Sequence, residues 1–309
     1  MTCKKILFVS YPLLAISEHS PGGAEQVLVT LENELFQRGY DTWTAAANGS
    51  QVAGGLVETG APATVAEQLA EREQEHNRLI FQAVAEHRAS GRPFGLIHDM
   101  SGSFWQMAAE VGCPALATLH LPRSYYPENT WKKTAKNVSF SCVSASHMHD
   151  FGKIQNLFLA PNGITLSKFV SEPVVSEERE YFLWLGRICG EKGPHHALDV
   201  AYASGERIIV AGAVYPFLYH QKFHAREVLP RLRRAKQRTR FIDSPSFAEK
   251  LGLLRHAKAL LLTSTVAETS SLVAMEAAAC GTPVIGLRRG AVPEVVREGV
   301  TGLLADSFE

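Results

Sequence analysis

The sequence predicts two open α/β domains with mainly parallel sheets. Three observations carry this: a length of 309 residues, about twice that of a usual domain; strand-like apolar runs that alternate with helix-length amphipathic segments in both halves; and a stretch rich in Ser, Glu, Pro and Val at 171–179 that reads as a linker. The domains are accordingly placed at 1–170 and 171–309.

In chain order, 6–10 is a buried-strand run, and the loop 11–23 leads into a helix over 24–38. Leu28, Leu31 and Leu35 form that helix's apolar face, Gly39 stops it, and 40–46 is the second strand. Residues 48–63 read as a loop or short irregular strands, and 65–90 as a helix solvated on one side. Strands follow at 94–98 and 114–119, with a helix at 104–111 between them, then at 138–143 and at 157–160 before Pro161-Asn162-Gly163. A new series starts with the strand 181–186, followed by a helix at 195–203, a strand at 207–211, a longer helix at 219–236 and a strand at 239–242. It continues with a helix at 247–256, a strand at 259–263, a helix at 271–280 and a strand at 283–286.

Composition narrows the function. With 46% hydrophobic and 20% charged residues the chain is globular. Lys plus Arg and Asp plus Glu both count 31, which disfavours a nucleic-acid glove built on global charge and leaves room for a local anion site. Cys3, Cys113, Cys142, Cys189 and Cys280 include no CxxC pair, a pattern of reduced thiols in a cytoplasmic protein rather than of disulfides or zinc. The first apolar run is short and ends near Pro12, a strand rather than a signal peptide. No apolar stretch approaches the roughly 20 residues of a membrane span. Peripheral membrane contact stays open, as do a monomer and a homodimer.

Ligands of open α/β sheets bind beyond the carboxyl ends of the strands. In the first such loop, Gly22 and Gly23 let the backbone approach a ligand just before a helix N-terminus, although a plain turn explains them equally. Neither GxGxxG nor GxxxxGK[ST] is present. After the first strand of the second half, Arg187 offers a planar fork and Lys192 a mobile charge to a diphosphate; the plainer alternative is a solvated ion pair using Glu191. Glu268 precedes a helix and Glu276 lies inside it, so the two carboxylates suit different hydroxyls of one extended ligand, or else belong to a capped helix and its polar face. The basic run from Arg226 to Arg240 reads as a solvated face, with an anionic acceptor or membrane surface as the alternative. Tyr125-Tyr126-Pro127 suits sugar stacking or loop packing. The remaining histidines form no coherent metal spacing.

Taken together, Gly22-Gly23-Ala24-Glu25, Thr118-Leu119-His120, Pro161-Asn162-Gly163-Ile164, Gly186-Arg187 with Glu191-Lys192-Gly193, Glu268 to Glu276, Gly281-Thr282-Pro283 and Gly290 to Glu294 occur in an order that resembles glycosyltransferase family 4. These are the glycogen-synthase-like retaining enzymes of GT-B architecture, two Rossmann-like open-sheet domains facing across a cleft, and the resemblance covers almost the whole chain. It implies transfer of a sugar from a nucleotide-sugar donor, UDP being commoner than GDP, to an acceptor with retained configuration and without a metal. It further implies that Arg187 and Lys192 hold the diphosphate, Glu276 the ribose, and Glu268 the donor sugar together with the Ser270-Ser271-Leu272 amides. Gly22, Gly23 and Gly290 would approach the phosphate, nucleotide or sugar, and His120 would face the transferred sugar. Asn162 would shape the hinge-side turn, and Pro293 and Glu294 would support the Gly290 loop. His98-Asp99 would line the acceptor side or make a structural hydrogen bond.

Two departures matter. The family's Glu-Gly-Phe-Gly-Leu-like loop is here Glu268-Thr269-Ser270-Ser271-Leu272, and the family's C-terminal crossover helices are not in this sequence. These motivate two alternatives to transfer: a nucleotide-sugar-binding scaffold without activity, and a sugar phosphorylase.

Overall fold

The computed structural model describes residues 5–63, 65, 68–126, 130–131, 135–170 and 179–308. Residues 171–178 of the linker expected at 171–179, and Pro127 of the tyrosine loop, lie outside the described residues. Contacts divide the chain into two units, Met1–Asn162 and Gly163–Glu309.

The first unit is built on strands β1 (Lys5–Val9), β2 (Asp41–Ala46), β3 (Gly55–Glu58), β4 (Leu96–Asp99), β5 (Ala115–Leu119), β6 (Val138–Cys142) and β7 (Leu157–Leu159), all parallel in the order β3-β2-β1-β4-β5-β6-β7. Helices α1 (Gly23–Gln37), α2 (Leu69–Ala89), α3 (Ala108–Val111) and α4 (Ala145–Phe151) connect them. Every residue of β1 is buried, as a central parallel strand covered on both faces must be. Leu7 and Val9 pack in the layer that holds Ile80 and Val84 of α2, whereas Ile6 and Phe8 pack in the layer of Leu28 and Val29 of α1. Glu32 of α1 is buried yet satisfied, since its carboxylate accepts from Thr42 Oγ1 at 2.6 Å and from the amides of Ala53 and Gly54 at 3.0 and 2.8 Å.

The second unit repeats this plan. Strands β8 (Tyr181–Leu185), β9 (Ile208–Gly212), β10 (Thr239–Asp243), β11 (Ala257–Leu262), β12 (Val284–Leu287) and β13 (Gly302–Ala305) are parallel in the order β10-β9-β8-β11-β12-β13. Around them lie α5 (Pro194–Ser204), α6 (Leu218–Phe223), α7 (Leu229–Arg234), α8 (Phe247–His256), α9 (Leu272–Ala279) and α10 (Val292–Val295). Where the pattern predicts one helix over 219–236, a π-helical turn at His224–Val228 separates α6 from α7. Pro230 has no N–H to give the preceding turn, which accounts for the break in the α ladder.

The boundary expected after residue 170 lies inside the second unit. Phe169 packs edge-on against Phe247 at 5.5 Å, and its carbonyl accepts from Arg255 Nη2 at 3.3 Å.

Candidate functional site

In both sheets the strand order reverses beside the first strand, between β1 and β4 and between β8 and β11. Loops leaving the carboxyl ends of such a pair diverge and open a crevice. In the second unit those loops carry Arg187, Lys192 and Glu268.

The two loops are stitched together. Thr263 Oγ1 donates to the Gly193 carbonyl at 2.7 Å, the Thr265 amide to the Glu191 carbonyl at 2.8 Å, and Trp184 Nε1 to Thr263 Oγ1 at 3.2 Å and the Lys192 carbonyl at 3.3 Å. Gly193 has φ +68°, and a Cβ there would lie 2.1 Å from the Thr263 carbonyl oxygen, so the approach requires glycine. Pro194 then begins α5 in the first turn, where its missing N–H costs nothing.

Lys192 Nζ donates to both oxygens of Glu268, at 2.8 and 2.7 Å, and Ser264 Oγ donates to Oε1 as well. The Glu268 side chain is 9% exposed and that of Lys192 35%, so the carboxylate is the buried partner and the ammonium reaches solvent. This corrects the ion-pair alternative: the Lys192 partner is Glu268, 76 residues away, and not Glu191. Gly290 brings in a third loop, after β12. It bridges to Glu268 with φ +54°, the Ala291 amide donates to the Glu268 carbonyl at 2.8 Å, and a Cβ on Gly290 would fall 2.3 Å from that oxygen. Arg289 Nη1 ties the same loop to the Thr265 carbonyl at 2.9 Å.

Beyond Glu268, Ser270 and Ser271 are buried, and neither hydroxyl has a hydrogen-bond partner among the described residues. Ser271 sits at the N-cap of α9 but makes no side-chain capping bond, so the capping reading of this stretch fails for it. Leu272 opens α9. Arg187 lies with its guanidinium 5.5 Å from the Tyr215 ring, and its Nε is unpartnered among the described residues.

Glu276, inside α9, accepts from Lys250 Nζ of α8 at 2.8 Å. Both side chains are largely buried, and Lys250 lies 5.3 and 5.2 Å from the Phe169 and Phe247 rings. Burial pushes the Glu276 carboxyl up from its ordinary value and the Lys250 charge opposes it. Sequence reasoning missed Lys250, Ser264 and Tyr215, because no local spacing links them to the motifs.

In the first unit, Gly22 is the extended N-cap of α1 and Gly23 its first helical residue, at the carboxyl end of β1. His120 follows β5. Burial, with His98 and His147 nearby, pushes its imidazole down to about 3, so at neutral pH it carries no charge. The backbone beside it is held on both sides: the Leu121 amide donates to the Tyr126 hydroxyl at 3.4 Å, and His147 Nε2 lies 2.9 Å from the Leu121 carbonyl. Tyr126 is therefore a packed residue, whereas Tyr125 is 64% exposed. His98 Nε2 is 2.8 Å from Thr118 Oγ1, which is 2.9 Å from Ser141 Oγ, a buried chain across β4, β5 and β6. Asp99 accepts from the amides of Ser101, Gly102 and Trp105 and from the Ser101 hydroxyl, a structural cap. The Asn162 amide donates to the Val143 carbonyl at 3.3 Å. Of the basic run, Arg231 pairs with Asp199 and Glu227 at 2.9 Å each, and Arg234 lies 3.7 Å from the Tyr202 ring. Among the described residues no group of three or more His, Cys, Asp or Glu is placed to hold a metal ion, and no helix is long and apolar enough to cross a membrane.

Two parallel-sheet units of this strand order, the second gathering a basic and an acidic loop at its switch point, define a protein of GT-B architecture. Residues 168–309 match the family described as glycosyl transferases group 1, in line with the resemblance read from the motifs. The chain is 34% identical over 133 residues to a D-inositol 3-phosphate glycosyltransferase of Mycobacterium marinum, covering 43% of this chain and 28% of that protein. It is 42% identical over 73 residues to the Corynebacterium efficiens protein of the same name, covering 24% and 17%. These matches thus span less than a third of the relatives' length. Among solved structures, sucrose-phosphate synthase of Thermosynechococcus elongatus superposes with a TM-score of 0.80 at 20% identity, over 98% of this chain and 86% of that one. The Anabaena HepE protein, solved in complex with UDP and glucose, does so with 0.73 at 17%, over 98% and 86%.

Proposed function

We propose that this chain is a retaining glycosyltransferase that moves a sugar from a nucleoside-diphosphate sugar, UDP before GDP, to an acceptor hydroxyl. The observation that carries the reading is the meeting of Lys192, Glu268 and Gly290 at the switch point of the second sheet, beside two buried hydroxyls without partners among the described residues. In this reading the second unit binds the donor and the first unit the acceptor side. Arg187 and Lys192 stabilise the charge that grows on the departing diphosphate. Glu276 takes the ribose; Glu268 and the Ser270-Ser271-Leu272 segment take the sugar; Gly290 lets the backbone approach it. From the first unit, Gly22 and Gly23 contribute amides and His120 a neutral imidazole that hydrogen-bonds the sugar without repelling a positive anomeric centre.

The acceptor attacks the face from which the diphosphate leaves, and a leaving phosphate oxygen takes its proton. No covalent bond to Glu268 is required. The choice of UDP is supported by the HepE complex, and the fold class by the superpositions.

The test is a panel of UDP- and GDP-sugars with a library of acceptors. A productive pair releases nucleoside diphosphate and forms a glycoside, and Arg187→Ala lowers the rate at least tenfold. Donor binding without transfer to any acceptor would refute the activity and leave a nucleotide-sugar-binding scaffold.

A further inference from the structure

We infer that the Lys192–Glu268 ion pair makes the site discriminate a nucleotide sugar from the bare nucleoside diphosphate it releases. The inference rests on the proposed role of Lys192 as a diphosphate ligand.

An ammonium has three N–H donors, and two of those on Lys192 are spent on the two Glu268 oxygens. A diphosphate that draws Lys192 toward itself therefore strips a buried carboxylate of its countercharge. What stays behind is one hydroxyl, Ser264 Oγ, on Oε1; Oε2 keeps no partner among the described residues. Leaving such a carboxylate unpaired is costly, far more so than the exposed end of the pair would indicate.

A bare nucleoside diphosphate must bear that whole cost. A nucleotide sugar brings hydroxyls that donate to Glu268 and so replace Lys192, and the adjacent Ser270 and Ser271 hydroxyls, without a partner among the described residues, can take the sugar's other oxygens. Lys192 passes from carboxylate to phosphate as the sugar passes onto the carboxylate. Once the sugar has been transferred, Glu268 reclaims Lys192, and the product diphosphate loses a ligand. The Gly290 contact holds Glu268 in place throughout, because its backbone is pinned on the far side by the Ala291 amide.

The test is calorimetric titration of the whole chain with UDP and with UDP-glucose. Glu268→Gln frees Lys192, so it should bind UDP roughly tenfold tighter and UDP-glucose roughly tenfold weaker, opposite shifts of the size expected for coupled neighbours. Ser264→Ala, which leaves Glu268 more dependent on Lys192, should weaken UDP and spare UDP-glucose, and it serves equally if Glu268→Gln does not fold. In turnover, Glu268→Gln should become more sensitive to inhibition by UDP. Equal tightening of both ligands would mean simple removal of a like charge and would overturn the exchange, as would equal weakening or no change. Lys192→Ala separates the two levels: if it leaves UDP-glucose affinity intact, the proposed diphosphate role itself fails; if it weakens UDP-glucose while Glu268→Gln does not strengthen UDP, the exchange alone fails.

Discussion

His76 gives the first unit a quantifiable sensitivity to acid. It lies on α2 with no exposed surface, and its Nδ1 is 2.7 Å from Thr59 Oγ1. Burial, opposed by a backbone hydrogen bond at Ser10, pushes the imidazole from 6.5 down to about 4. Between those values the unfolded chain holds a proton that the folded one refuses, so stability falls as pH is lowered through this window and is complete above pH 6.5. Integrating the two titrations, the group costs about 2 kcal/mol at pH 5 relative to pH 7.5. His76→Asn keeps a polar atom near Thr59 but does not titrate. Amide exchange in β1 and β4, which reads the opening of this unit alone, should show the variant losing about 2 kcal/mol less than the parent over the same pH change. Any constant packing loss cancels in that difference. Parallel profiles for parent and variant would refute the reasoning.

Three further outcomes are expected. Gly290→Ala places a side chain in the left-handed region, at about 1–2 kcal/mol, against the Glu268 carbonyl, so thermal stability and donor affinity should fall together in calorimetry. Lys250→Met orphans the buried Glu276 carboxylate, costing about 3–5 kcal/mol at pH 8 and less as the pH is lowered, because burial raises the carboxyl and the Lys250 charge that opposed this is gone; urea unfolding across that pH range reads this. His147→Leu removes the bond to the Leu121 carbonyl and should lower kcat more than it raises KM, whereas His147→Gln, which keeps a donor at that reach, should restore much of the loss in steady-state assays.

Much of the architecture was legible because parallel sheets leave a loud signal: β1, β5, β8 and β11 are apolar runs of the kind that only burial on both faces tolerates. The short elements were not. α4 was passed over, although Ser144 accepts from the His147 amide at 3.1 Å as an N-cap, because seven residues give too little periodicity. β13 escaped for the same reason, its four residues forming an edge strand with one buried position. At the candidate site, the residues themselves stood out by type and order, but their partners did not. Lys192 meets Glu268 and Lys250 meets Glu276 only through sheet topology, and a charge pattern along the chain cannot show which cation reaches which carboxylate.

The placement of β1 has a cost during synthesis. Its neighbours in the sheet are β2 and β4, and β4 begins only at Leu96. At ribosomal speeds the strand waits on the order of ten seconds for that backbone edge to be covered, and for most of that time for α2 to cover the Leu7 and Val9 face. β8 stands in the same position toward β11, which starts at Ala257. Each half of the nascent chain therefore passes through an interval in which one edge of its first strand is open to chaperones or to another copy of itself, and slowing translation after β1 would lengthen that exposure rather than aid folding.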